Sequence, residues 1–228
     1  MIPLERRGEA MARRAAELVR DGDAVGLGTG RAAGAFVRAL AERARRGLRV
    51  RCVPTSRATE AAARALGLSL VELEEAGQLD LAVDGADEVG PGLDLVKGYG
   101  GALVRERIVA EASRRLVILA EPEKLVPALG ARGRLPVEVV PFGWSLCAAR
   151  IAALGLDPRR RVEGGAPFVT DNGNQLLDCA VRPIADPAGL ELQLRAIPGV
   201  VGTGLFLGLA DAVFLEDADG DVTLRERG

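Results

Sequence analysis

Over the first 120 or so residues, apolar segments with helical spacing alternate with short β-branched runs, a pattern that restricts the chain to βαβ units and a parallel sheet. Strands are expected at Ala24 to Leu27, Leu48 to Val53, Ser69 to Leu73, Leu79 to Val83 and Leu116 to Leu119. Helices fit Leu4 to Arg20, Ala32 to Arg46, Thr59 to Leu66 and Ala102 to Ala112, each closing near a glycine, a polar turn or a charged pair. Open sheets of this type bind ligands outside the carboxyl ends of their strands. Chemistry is therefore expected just after Leu27, Val53, Val83 and Leu119. Beyond Gly130 the texture changes to Pro136, Pro141 and Gly143, a short helix, and the turn Thr170-Asp171-Asn172-Gly173-Asn174, whose Asn-Gly is a hairpin signal. This stretch reads as an inserted α+β subdomain ending near Ile197-Pro198-Gly199-Val200-Val201-Gly202. Ala212 to Leu215 and Val222 to Leu224 then form a hairpin that returns to the first sheet. The expected division is a catalytic domain of residues 1–130 and 204–228 and a smaller domain of residues 131–203.

A chain of 228 residues with 48% hydrophobic content can bury a real core. Its net charge of −2 and its dispersed arginines leave no basic footprint for nucleic acid. Met1 to Arg7 contains no apolar leader core, and no uncharged apolar run approaches the roughly 18 residues of a membrane span, so a cytoplasmic location without membrane contact is expected. Cys52, Cys147 and Cys179 lie far apart with no C-x-x-C pair and no histidine to complete a zinc site, so they read as buried structural thiols. Among 30 basic residues only Lys97 and Lys124 are lysine, and histidine is absent. A general base near neutral pH must then be a carboxylate, a tuned lysine or a cysteine. Arginine-rich codon usage explains the arginines, but it does not say why two compact ammonium groups remain.

The first candidate site is Gly26-Leu27-Gly28-Thr29-Gly30-Arg31-Ala32-Ala33-Gly34, a strand entering a helix through glycines. Amides at such a helix start favour an anion, and Thr29 adds a hydroxyl. A dinucleotide fold would also use Gly28-x-Gly30-x-x-Ala33, but it needs an acid after the next strand, where Pro54-Thr55-Ser56 stand instead. A phosphate cradle is the favoured reading, with a purely structural turn as the plainer one.

The second candidate joins Asp84-Gly85-Ala86-Asp87-Glu88 to Lys97-Gly98-Tyr99-Gly100-Gly101 and a helix carrying Glu106. Acids, a rare lysine and a glycine-lined amide loop fall within one short stretch, at the end of an apolar strand. Turn and cap chemistry is the plainer reading of Asp84 and Asp87, and a solvated helix acid that of Glu106. A Mg²⁺ site on Asp84 and Asp87 is a further alternative. A neighbouring Lys97 ammonium would compete for the same carboxylates.

At these residues the chain resembles the ribose-5-phosphate isomerase family of type A. The matching pieces are Gly28-Thr29-Gly30, Thr55-Ser56, Asp84 to Glu88, Lys97-Gly98 with Gly100 to Leu103, Arg105-Glu106, Glu121-Pro122-Glu123-Lys124, Thr170 to Asn174 and Ile197 to Val201, in order across nearly the whole chain. The resemblance implies an α/β protein: a Rossmann-like open parallel sheet domain with an inserted smaller α+β, ferredoxin-like domain. It implies interconversion of ribose 5-phosphate and ribulose 5-phosphate in the pentose phosphate pathway, with no metal and no cofactor, by a homodimer or homotetramer. Carried onto matching positions, Glu106 is the general base, Asp84, Asp87 and Lys97 are its polar partners, and Lys124 is a substrate-binding cation. Further substrate contacts are implied at Gly28, Thr29, Gly30, Arg31, Ala32, Ser56, Gly85, Ala86, Gly98, Tyr99 and Gly100. Two departures stand out. Arg31-Ala32 replaces the family's Ser-Thr, leaving backbone amides and the Arg31 side chain to meet the substrate, and Tyr99 replaces a glycine, which implies a stiffer or differently angled loop.

Competing functions are a sugar-phosphate sensor, an amino-sugar phosphate deaminase or CoA transferase on a related scaffold, and a dehydrogenase. The sensor lacks an output module, the deaminase its ring-opening histidine, the transferase a nucleotide-sized site, and the dehydrogenase its ribose-binding acid.

Overall fold

In the computed structural model, which describes residues 8–227, the first apolar run becomes β1 (Ala24–Leu27), buried at all four positions as a strand covered on both faces must be. It pairs in parallel with β2 (Arg51–Pro54) and β3 (Leu81–Gly85). β3 pairs in parallel with β6 (Leu116–Ala120), β6 with β14 (Ala212–Glu216), and β15 (Val222–Glu226) closes the edge antiparallel, giving the order β15-β14-β6-β3-β1-β2. The connecting helices are α1 (Glu9–Glu17), α2 (Arg31–Arg45), α3 (Arg57–Ala65), the single-turn α4 (Leu73–Ala76) and α5 (Leu103–Glu111). Met11, Ala15, Phe36 and Leu40 from α1 and α2 meet Val25, Leu27, Val83, Val117 and Phe214 from the sheet in one core. The buried Glu216 carboxylate serves the fold by accepting the Gly8 and Met11 N–H groups at 2.9 and 2.8 Å, which closes the start of α1.

Most expected elements of this sheet recur within a few residues. The expected helix Leu4 to Arg20 is observed over Glu9–Glu17, and its first part, residues 4–7, lies outside the described residues. The expected strand Ser69 to Leu73 does not form. Only Leu70 bridges Cys52, and the chain turns into α4 at Leu73, where Glu74 and Glu75 suit the positive start of a helix.

Residues 87–104 and 125–208 form a second compact unit, the remaining described residues the first. The second has its own antiparallel sheet of β7 (Arg134–Val139), β8 (Asp157–Arg160), β11 (Gln175–Ala180) and β12 (Val200–Thr203), in the order β12-β7-β11-β8. With α6 (Trp144–Ala153) after β7 and α7 (Pro187–Arg195) after β11, this is the βαββαβ arrangement of a ferredoxin-like fold. β9 (Val162–Glu163) and β10 (Ala166–Pro167) form a short hairpin between β8 and β11. The unit reaches beyond residues 131–203 because β4 (Glu88–Val89), β5 (Leu95–Val96) and β13 (Leu205–Phe206) make a small antiparallel sheet. Val96 and Leu205 share a core with Leu135, Val137, Ile151, Leu177 and Leu194. The Asn172-Gly173 turn closes as a hairpin, Thr170 N–H meeting Asn174 O at 2.9 Å. Its polar residues also support the fold: the Thr170 hydroxyl and the Asn172 and Asn174 side-chain amides donate to the fully buried Glu138 at 3.0, 3.3 and 2.9 Å. Among the described residues no helix is long and apolar enough to cross a membrane.

Candidate active site

β1 runs into Gly28-Thr29-Gly30, and the Gly28 N–H donates to Val83 O at 2.9 Å. A Cβ on Gly28 would stand 2.2 Å from Asp84 Oδ1 and 2.6 Å from Asp84 Cα, so no larger residue fits. Asp84 is buried at 4% exposure, and its Oδ1 accepts the Thr29 N–H at 3.1 Å and the Gly85 N–H at 2.7 Å. The Thr29 amide, one of those near the helix start, is thus committed to Asp84. The candidate amides begin one residue on. In the first turn of α2 the N–H groups of Arg31, Ala32 and Ala33 have no intrahelical acceptor, Gly30 supplies no side-chain cap, and no acid is present. That leaves the positive end of a 15-residue helix for an anion. We expect Gly28→Ala to cost about 1–3 kcal/mol by overpacking and to lower the thermal midpoint by roughly 2–10 °C in calorimetry. An unchanged midpoint would mean that the β1 terminus simply gives way.

Hydroxyl groups lock the neighbouring strand ends. Thr29 Oγ1 lies 2.8 Å from Thr55 Oγ1 and donates to Ser56 Oγ at 2.9 Å, while the Thr55 and Thr59 hydroxyls donate to Leu27 O and Gly28 O at 3.0 and 2.9 Å. Ser56 caps α3 by accepting the Thr59 N–H at 3.1 Å. Thr59, missed in the sequence, was legible as the fourth residue of a Ser-x-x-Thr helix start.

Glu106 sits in α5 and is 6% exposed. The helix comes close to β1 because Gly26 has no side chain: a Cβ there would meet Val109 Cγ1 at 2.4 Å. Glu106, three residues before Val109, lies on the same helical face. Lys124 ends a short 3₁₀ turn after β6 and is partly exposed. Arg31 pairs with Glu121 at 2.7 Å, so its guanidinium is tethered to the end of β6, and Ala32 packs on the core edge.

In the second unit, Asp87 donates its N–H to Val96 O at 2.8 Å, and its Oδ2 accepts the Tyr99 N–H at 2.9 Å. Lys97 is 3% exposed, donates its N–H to Gly204 O at 2.9 Å, and places Nζ 5.6 Å from the centroid of the Phe206 ring. Gly98, at φ 102°, begins a tight turn closed by Gly101 N–H to Gly98 O at 3.0 Å. Tyr99 anchors the turn: its hydroxyl donates to Arg134 O at 3.1 Å and the Arg134 guanidinium lies 4.6 Å from its ring centroid. Burial, with the charges of Glu88 and Asp87, pushes the phenol up to about 12 against the pull of Arg134 and Arg132, so Tyr99 is a neutral donor. Glu88 is fully buried and staples the 130–132 loop by accepting the Gly130 and Arg132 N–H groups at 2.6 and 2.7 Å.

Asp178, on β11, was not singled out in the sequence. Burial opposes its ionisation, but hydrogen bonds from Arg161 and then Arg134 outweigh that and hold its carboxyl below the ordinary value of 3.8. A lowered folded value means stabilisation that is present above pH 3.8 and fades as pH falls through the folded value. The urea midpoint of Asp178→Asn should therefore fall below wild type at pH 7, and the gap should narrow in acid.

Among the described residues no group of three or more His, Cys, Asp or Glu side chains is placed to hold a metal ion. The three cysteines are buried, and burial pushes Cys147 up and Cys52 and Cys179 up to about 12, so none presents a thiolate.

An open parallel sheet with an uncapped helix start beside the buried Asp84 is the frame of an α/β protein whose strand ends can receive a small anionic ligand. The family model of ribose 5-phosphate isomerase A, also called phosphoriboisomerase A, matches residues 51–220. The chain is 52% identical over 213 residues to ribose-5-phosphate isomerase A of Gloeobacter violaceus, covering 93% of each, and 52% identical over 225 residues to that of Thermomicrobium roseum, covering 98% of this chain and 94% of the relative. A solved D-ribose-5-phosphate isomerase in complex with phospho-erythronic acid superposes with a TM-score of 0.94 at 33% identity, covering 99% of this chain and 100% of that one. The chain belongs to the ribose 5-phosphate isomerase A family.

Proposed function

We propose that this protein interconverts D-ribose 5-phosphate and D-ribulose 5-phosphate through an enediolate, in the non-oxidative pentose phosphate pathway. The observation that carries the reading is the match to named isomerases across almost the full length of both chains. An aldose-to-ketose isomerase moves a proton between adjacent carbons, and it needs a base and a positive clamp on the oxygen that gains charge. Glu106 takes the proton from C2 of the open-chain aldose and returns it to C1. The proton of the C2 hydroxyl leaves as one is delivered to the former aldehyde oxygen, so no redox partner is required. Lys97 and the amides of Gly98 and Gly100 oppose the enediolate charge, while the Tyr99 amide holds Asp87, and Asp84 and Asp87 orient hydroxyls and relay their protons. The phosphate meets the start of α2 at Gly30, Arg31 and Ala32, with Lys124 as a further cation and the Gly28, Thr29, Ser56, Gly85 and Ala86 segments shaping the approach. The protein acts in the cytoplasm as a homodimer or homotetramer.

The test is incubation of purified protein with ribose 5-phosphate and EDTA, without nucleotide, with ribulose 5-phosphate as the readout. Conversion is the expected result. Binding without conversion would make the protein a sensor, and conversion only after Mg²⁺ is restored would overturn the metal-free mechanism.

A further inference from the structure

The turn at residues 97–101 is held from the antiparallel sheet by a network that the proposed chemistry does not use. Arg161, directly after β8, has a side chain only 11% exposed. Its Nη1 donates to Tyr99 O at 3.0 Å and its Nη2 to Gly98 O at 3.2 Å. Asp178 orients this fork from behind, accepting from Arg161 Nε at 2.9 Å and Nη2 at 2.6 Å, and Arg134 Nη2 also donates to Asp178 at 2.8 Å. The guanidinium lies 5.5 Å from the Phe168 ring centroid, and that ring fills the space a Cβ on Gly101 would occupy, 2.6 Å away.

These bonds act on two successive peptide planes. The Gly98 C=O and the Tyr99 N–H belong to one peptide unit, with Arg161 on its oxygen and Asp87 on its N–H. Because the unit is planar and trans, gripping both ends fixes its orientation, and with it the Asp87 carboxylate. The next unit has Arg161 on the Tyr99 C=O, which directs the Gly100 N–H to the opposite side. A flexible glycine turn would otherwise sample many such orientations. We infer that Arg161, oriented by Asp178, is a positioning residue that sets the aim of the Asp87 carboxylate and the Gly100 amide. Lysine cannot replace it, since one ammonium cannot hold two carbonyls and a carboxylate in a planar fork.

The kinetic part of this inference rests on the isomerase reading, and the structural part does not. The experiment compares wild type, Arg161→Ala and Arg161→Lys by steady-state kinetics on ribose 5-phosphate, with and without millimolar guanidinium, and by amide hydrogen exchange. Misplaced groups can cost about 100-fold, so kcat of Arg161→Ala should fall by roughly 10- to 100-fold while KM moves less than about threefold. Added guanidinium should restore part of kcat in Arg161→Ala, and Arg161→Lys should stay impaired. Exchange of the Tyr99 and Gly101 amides should accelerate about tenfold or more while β3 and β6 keep their protection. Wild-type kcat in folded Arg161→Ala, or a loss that follows the unfolded fraction and ignores guanidinium, overturns the positioning role. If wild type itself fails to isomerise the sugar, the isomerase reading falls and exchange alone decides: unchanged Tyr99 and Gly101 rates overturn the bracing, accelerated rates support it.

Discussion

Glu106→Gln should lower kcat for ribose 5-phosphate by about 10²- to 10⁴-fold, or roughly 2.7–5.5 kcal/mol of transition-state stabilisation, while KM stays within a few-fold. The substitution preserves shape and one acceptor oxygen, replaces the other with an NH2 donor, and removes the ability to take a proton. It is informative because this chain has few other bases: histidine is absent, and the three thiols are buried and protonated. Glu106 is itself buried, on the α5 face that Gly26 admits to the sheet. Calorimetric titration with a non-reacting phosphorylated sugar acid should show binding retained. Wild-type turnover in Glu106→Gln would move the base elsewhere, and Asp84 would be the next residue to test.

Lys97→Arg should cost about 100-fold in kcat although the charge is kept, since a misplaced oxyanion donor costs on that order. The position suits a compact ammonium. Lys97 is buried beside the Phe206 ring, glycines follow at Gly98 and Gly100, and a Cβ on Gly204 would already stand 2.5 Å from the Lys97 carbonyl oxygen. A planar guanidinium is wider and cannot take the same place without shifting the turn. A thermal midpoint near wild type alongside low kcat would locate the loss in chemistry rather than folding. Full activity in Lys97→Arg would end the point-charge explanation for one of the two lysines.

Much of the candidate site is local in sequence. Gly28-Thr29-Gly30 announces a strand-to-helix turn, and residues 84–106 carry acids, a lysine and a glycine turn in one continuous stretch. What local sequence does not show is which groups are already engaged within the fold. Thr29 offers its amide to Asp84, 55 positions away, and Ser56 is occupied as a helix cap. Arg31, expected near a ligand, is tied to Glu121 across 90 positions. Such pairings depend on which strand ends meet, and strand order is set by nonlocal packing.

Arg159-Arg160-Arg161 shows the same limit most clearly. Arg159 pairs with Asp157 at the surface, Arg160 lies 4.2 Å from the Trp144 ring centroid, and Arg161 grips the turn at Gly98 and Tyr99. Three identical residues in a row hold no local sign of which one points inward. Alternation along β8 separates Arg160 from Arg159, and Arg161, just past the strand, is turned inward by its bonds to Asp178, Gly98 and Tyr99.

The sequence by itself determined the parallel sheet, the ferredoxin-like insertion's hairpin turn and the acids and lysine at the strand ends, because hydrophobic period and turn chemistry act over a few residues. The tertiary structure alone decided where the second unit begins, which amides are spent internally and which arginine orients the Lys97 turn. Those outcomes follow from contacts tens of residues apart, whose partners are chosen only when the sheets assemble.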